Sequence, residues 1–161
     1  MNGELFKHIL VPHDFTKEAD RALRMAATLA TGARGDLTVL HVITPFYPLR
    51  EVTRTGPGLL DPKELEARVL IRLEGHVASV LRSDAARCLV VTGNPGQRIV
   101  HAAADATCVV MPTSGRTGAA HTLIGSTAER VVRFSPTPVL VLPPLRLRGG
   151  IPPAIQSSRR R

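Results

Sequence analysis

The residues best placed to do chemistry lie in Met111-Pro-Thr-Ser-Gly-Arg-Thr-Gly-Ala-Ala-His-Thr-Leu-Ile-Gly-Ser126, between an apolar run (Thr107 to Met111) and a helix opening at Ser126. Glycines at 115, 118 and 125 let the backbone approach a ligand closely. The free N–H groups of a first helical turn, with the helix dipole behind them, favour an anion. Phosphate suits such a loop, so a nucleotide is the expected ligand. Arg116 is the loop's only cation and either meets phosphate oxygens or stays in solvent. His121 has the same two readings, and the three glycines can also serve as plain turn residues.

Other chemistries lack their residues. The loop has no G-x-x-x-x-G-K-[ST], and the only lysines are Lys7, Lys17 and Lys63, so a P-loop motor does not fit. The turn Pro12-His-Asp-Phe-Thr16 holds no glycine, whereas a dinucleotide fingerprint needs three. There is no G-x-S-x-G nucleophile elbow. The six histidines, at 8, 13, 41, 76, 101 and 121, show no ligand-like spacing with one another, with Cys or with carboxylates, so no metal site is expected. Asp14, at a strand end, either accepts hydrogen bonds from a ribose or caps the turn that follows. Ser126 either meets phosphate or, with Glu129, closes a capping box.

The elements that must position these residues alternate in type. Phe6 to Val11, Asp36 to Ile43, Cys88 to Thr92, Thr107 to Met111 and Pro138 to Leu142 are short apolar runs, as suits strands buried on both faces. Between them, Ala22, Leu23, Ala26 and Ala30 form one helical face, with Thr16 as cap and Gly32 as stop. Asp61-Pro-Lys-Glu64 opens a second helix carrying Leu65, Val69, Leu73, His76 and Val80. Asn94-Pro-Gly-Gln97 opens a short third, and Ser126-Thr-Ala-Glu129 a fourth that stops before Pro136. Alternating strands and helices imply a three-layer α/β domain, its parallel sheet covered on both faces. Ligands of such sheets sit beyond the strands' carboxyl ends, so Val11 to Asp14, His41 to Ile43 and the glycine loop should meet in one crevice. The connection from Thr44 to Leu60, with Phe46 and Tyr47, is either a lid over it or a surface loop.

Composition sets the frame. A chain of 161 residues, 43% of them hydrophobic, suits one domain with its own core. No apolar run reaches the roughly 20 residues of a membrane span, and no secretory leader is evident, so a cytoplasmic protein is expected. Cys88 and Cys108 then read as buried, reduced thiols. Of the net charge of +8, five arginines fall within residues 143–161, which contain no acid, leaving 8 − 5 = +3 on the body. We read 1–142 as the domain and 143–161 as a basic extension, suited to an acidic partner. With one Tyr and no Trp, the body lacks stacking residues for nucleic acid.

Ile9-Leu-Val-Pro-His-Asp-Phe15, Leu40-His-Val42, Gly93-Asn-Pro95, and Gly115-x9-Gly125-Ser126 followed by Pro138-Val-Leu-Val141 stand in an order that resembles the universal stress protein domain over residues 5–142. The resemblance implies a Rossmann-like sheet of the adenine nucleotide alpha hydrolase type, ordered 3-2-1-4-5, and a homodimer paired through the last strand. In one branch it also implies an ATP site with magnesium bridging the phosphates. Carried over, Asp14 binds the ribose or adenosine edge, Val42 holds adenine through its backbone, and Gly115, Gly125, Ser126 and Thr127 cradle phosphates. Pro12, His13, Met111, Pro112 and Arg116 complete the candidate site. The family pattern G-x-x-G-x9-G-[ST] has a glycine where this chain has Pro112, which cannot donate an N–H. His13 replaces the usual Thr or Ser. The expected function is an ATP-binding stress or signalling module acting through its dimer or a partner surface; the alternative is a nucleotide-independent interaction protein of the same fold. No base or nucleophile for hydrolysis is evident, which leaves at most a slow reaction with a positioned water.

Overall fold

The structure, a computed structural model, describes residues 4–45, 61–113 and 124–144. A 3-10 turn (Glu4–Phe6) leads into β1 (His8–Pro12), α1 (Lys17–Ala33), β2 (Asp36–Ile43), α2 (Pro62–Leu81) and β3 (Ala86–Thr92). Then follow α3 (Pro95–Ala102), a 3-10 turn (Ala103–Asp105), β4 (Cys108–Pro112), α4 (Ser126–Phe134) and β5 (Val139–Leu142).

Three helix starts use the signals the sequence carries. Thr16 Oγ1 accepts from Ala19 N–H at 3.2 Å, Asp61 Oδ1 from Lys63 N–H at 3.3 Å, and Asn94 Oδ1 from Gln97 N–H at 3.1 Å. Pro62 and Pro95 open the helices behind the last two caps, where a missing N–H costs nothing.

Two helix ends correct the reading. Gly32 does not stop α1, which runs on to Ala33; Arg34 then turns left-handed at φ 53° and its N–H reaches back to Ala30 and Thr31. The glycine that matters is Gly35, where a Cβ would collide with the backbone of Phe6 and Lys7. The capping box at α4 does not form either. Gly125 is the N-cap, without a side-chain bond, Ser126 is the first helical residue, and Glu129 pairs instead with Arg133 at 3.0 Å.

All pairings are parallel and the sheet order is β3-β2-β1-β4-β5. Alternation along the strands divides the core. Ile9, Val11, Val39 and Val110 pack with Leu23 of α1 and Leu73 of α2, while Leu10, Leu40, Val109 and Met111 pack with Ile99 of α3 and Val131 of α4. Helices therefore cover both faces, the three-layer arrangement expected.

β1 is the point where strand order reverses, with β2 on one side and β4 on the other. Its pairing to β4 covers only Ile9 with Cys108 and Leu10 with Val109, ending before either strand does. That early separation opens the sheet at its carboxyl edge. Both thiols are free, Cys108 buried and Cys88 half-buried. Among the described residues, no helix is long and apolar enough to cross a membrane.

Candidate functional site

A cavity of about 320 Å³ occupies the gap between the ends of β1 and β4. Pro12 at the end of β1 lines it with His13 and Asp14 of the turn that follows, Val42 of β2 with Thr44 just beyond that strand, and Met111 and Pro112 from β4. Ile99 of α3 and Gly125, Ser126 and Thr127 of α4 close the other side. The ends of the first, second and fourth strands thus meet as expected. Of the site residues drawn from sequence, Gly115 and Arg116 lie outside the described residues, as do Gly118, His121, Phe46, Tyr47 and the chain beyond residue 144.

The first wall is a braced turn. His13 N–H donates to Leu40 O at 2.9 Å, and His41 Nδ1–H returns a bond to His13 O at 2.7 Å, so the turn is tied to β2. Asp14 Oδ1 accepts from Thr16 N–H at 3.2 Å and from its hydroxyl at 2.5 Å. Asp14 therefore braces the turn while lining the cavity, so the two readings of it are compatible. Phe15 takes φ 65°, a left-handed conformation that a bulky residue adopts only when its surroundings impose it.

The opposite wall carries the anion chemistry. Thr113 N–H donates to Leu142 O and Gly125 N–H to Thr113 O, at 2.9 and 2.8 Å, so the two ends of the glycine loop are stitched together at its base. Inside α4 the first N–H used is that of Glu129, which reaches Gly125 O at 2.9 Å. The N–H groups of Ser126, Thr127 and Ala128 therefore have no intrahelical partner, and all three residues line the cavity. Gly125 lends its shape here rather than its N–H. With the helix dipole added, this wall suits a phosphate, while Leu40, Val42, Ile99 and Met111 give the interior an apolar surface that suits a base.

One cluster escaped the spacing argument. His13, Asp20 and His76 bring one donor atom each within 4.8 Å of the others, a grouping in space that their spacing along the chain does not announce. The His13 side chain is fully buried, and burial holds its pKa below the usual 6.5 even though Asp20 pulls it upward. The clue in the sequence was His76 itself, a polar residue among the apolar positions of its helix.

The universal stress protein family model matches residues 5–143. A universal stress protein of Thermus aquaticus, encoded beside a QAH/OAS sulfhydrylase, is 30% identical over 141 residues, covering 86% of this chain and 99% of that one. Among solved structures, the MJ0577 protein of Methanocaldococcus jannaschii superposes with a TM-score of 0.69 at 26% identity, covering 88% of this chain and 99% of that chain. A universal stress protein of Archaeoglobus fulgidus, solved in complex with dAMP, superposes at 0.54 with 22% identity, covering 85% and 98%.

Proposed function

The chain belongs to the universal stress protein family, and we propose that its crevice binds an adenine nucleotide, ATP in the first instance, with magnesium on the phosphates. The observation that carries this reading is that Ser126, Thr127 and Ala128, whose N–H groups have no partner within α4, line one largely apolar cavity together with Asp14. In this arrangement the base lies against Val42 and Ile99, Asp14 meets the ribose, and the phosphates reach the α4 N-terminus; the family resemblance alone adds Gly115 to their cradle. The dAMP complex of the A. fulgidus relative supports the ligand class. The nucleotide acts as a signal in a cytoplasmic module rather than as a substrate for fast turnover.

A second copy suits the β5 edge. Leu140 is 40% exposed there, and Val132 and Phe134 expose apolar surface on the neighbouring helix α4. Residues 143–161 form the basic extension that an acidic partner recognises.

Calorimetric titration with ATP and magnesium tests the reading. Wild type saturates, and Asp14→Ala and Gly115→Val weaken binding at least tenfold; no heat and no thermal shift with wild type would exclude it. Pro112 favours the other reading, a nucleotide-independent interaction protein. That reading predicts silent titrations and a partner interaction lost on deleting residues 143–161.

A further inference from the structure

Three imidazoles and a guanidinium surround Phe15 on the α1 and α2 side of the sheet, and two of the imidazoles share one carboxylate. His13 Nε2 and His76 Nε2 stand 3.1 and 2.7 Å from the same oxygen, Asp20 Oδ1. The Phe15 ring centre lies 4.8 Å from that of His41 and 5.4 Å from that of His76, with the Arg72 guanidinium 4.6 Å above it.

Hydrogen bonding assigns the proton on His13. Phe15 N–H donates to His13 Nδ1 at 3.1 Å, so Nδ1 carries the lone pair and the proton sits on Nε2, donating to Asp20. A metal ligand needs the reverse: a lone pair on Nε2 and an Nδ1–H donating to an oxygen. Two imidazoles and a carboxylate are a zinc-type donor set, but the backbone here selects the tautomer that cannot use it. The cluster is a hydrogen-bonded chain linking the β1–α1 turn to α1 and α2.

The same turn carries Asp14, and His13 and Phe15 flank it. We propose that the His13–Asp20–His76 chain is a positioning device for the nucleotide, holding this turn in the conformation that presents Asp14 to the crevice and releasing it in acid. The inference rests on the adenine-nucleotide reading above.

A second proton on His13 can enter only at Nδ1, where it would face the N–H of Phe15. Two donors would then oppose each other and the turn would have to rearrange. The charged and titratable groups around His13, among the described residues, are Asp14 in the turn, Asp20 on α1, His41 on β2 and His76 on α2, with Arg72 of α2 across Phe15. The two carboxylates favour the second proton, whereas burial and His76 oppose it, and burial is the largest influence. Release therefore belongs below pH 6.5.

The test is calorimetric titration of the full chain with ATP and magnesium at pH 7.5 and 5.5, using wild type, His13→Gln, His76→Ala and His76→Gln, with melting temperatures measured in parallel. In His13→Gln the side-chain amide keeps an N–H for Asp20 but cannot titrate. ATP's own phosphate titrates near pH 6 in every arm, so the difference between proteins isolates His13. Wild type should lose more affinity between the two pH values than His13→Gln does, by about twofold or more and by less than the roughly tenfold, or 1.4 kcal/mol, that titration at the usual 6.5 would give. His76→Ala should bind about threefold or more weakly at pH 7.5, with His76→Gln recovering most of the loss. Nitrogen NMR of the free protein at pH 7.5 should show His13 as the Nε2–H tautomer. Equal pH profiles for wild type and His13→Gln, or wild-type affinity in a folded His76→Ala, overturn the proposal and leave the nucleotide reading standing. Absence of ATP binding by wild type at both pH values brings down the nucleotide reading and this linkage with it. One equivalent of zinc retained at pH 7.5 by wild type and lost in His76→Ala identifies a metal centre and overturns the proposal.

Discussion

His76 Nε2 lies 2.7 Å from Asp20 Oδ1, joining two helices through residues 56 positions apart in the chain. The contact sits one hydrogen bond from His13, the residue next to the candidate ribose-binding carboxylate of Asp14. It makes the crevice wall answerable to packing between α1 and α2.

Stability should fall in mild acid because of His13. Its pKa is lowered in the folded state, chiefly by burial, so below 6.5 the unfolded chain takes up a proton that the folded chain resists. The unfolded state then binds more protons, and the contribution is present above 6.5 and is lost as pH falls through the lower folded value. Urea unfolding at pH 7.5, 6.5 and 5.5 should show a steeper decline for wild type than for His13→Gln. Parallel declines would rule out His13 as the source.

Restoring the family glycine should strengthen nucleotide binding. Pro112 lines the crevice at the end of β4 but has no N–H to offer. Pro112→Gly adds a donor worth about 1 kcal/mol, roughly a fivefold gain in ATP affinity. The added chain freedom should cost roughly 0.5–1 kcal/mol of stability. Calorimetry and thermal melting read the two effects separately, and unchanged affinity would mean that position 112 does not touch phosphate.

Much of this architecture was legible because its signals are local. β2 occupies Asp36–Ile43, the span of its apolar run, since a strand buried on both faces has no polar alternation to blur its limits. Asp61-Pro62 and Asn94-Pro95 mark helix starts because the cap and the proline act within one turn. The end of α1 was less legible. Gly32 has open space around it, whereas Gly35 is demanded by the backbone of Phe6 and Lys7, neighbours far back in the chain that no local pattern announces. Ser126 lost its capping role for the same reason: Gly125 is tied to Thr113, and that tie sets where α4 begins. The crevice followed from strand order. The His13, Asp20 and His76 cluster did not, because it exists only where α1 and α2 close over the turn.

Removing the α3 cap should loosen the crevice without touching its ligand groups. Asn94 Oδ1 holds Gln97 N–H at 3.1 Å, and the helix it starts carries Ile99 into the cavity. Asn94→Ala should cost about 1 kcal/mol in denaturant unfolding. A loss below a few tenths would show that Pro95 alone sets the helix start.

The thiols should react slowly. Burial, with Glu74 nearby, pushes the Cys88 pKa up to about 11, and burial also raises that of Cys108. At pH 7.5 little thiolate exists, so a disulfide reagent should label the native protein far more slowly than the unfolded one. Rapid native labelling of Cys108 would contradict its placement inside the sheet.

The most direct test of the crevice as an adenine-nucleotide site is photo-crosslinking with 8-azido-ATP followed by peptide mapping. Labelling should fall on the ends of β2 and β4 or on α3, within residues 40–44, 95–99 or 111–113, and should vanish when unmodified ATP competes. Labelling that ATP does not displace, or that maps to other surfaces, would contradict the account.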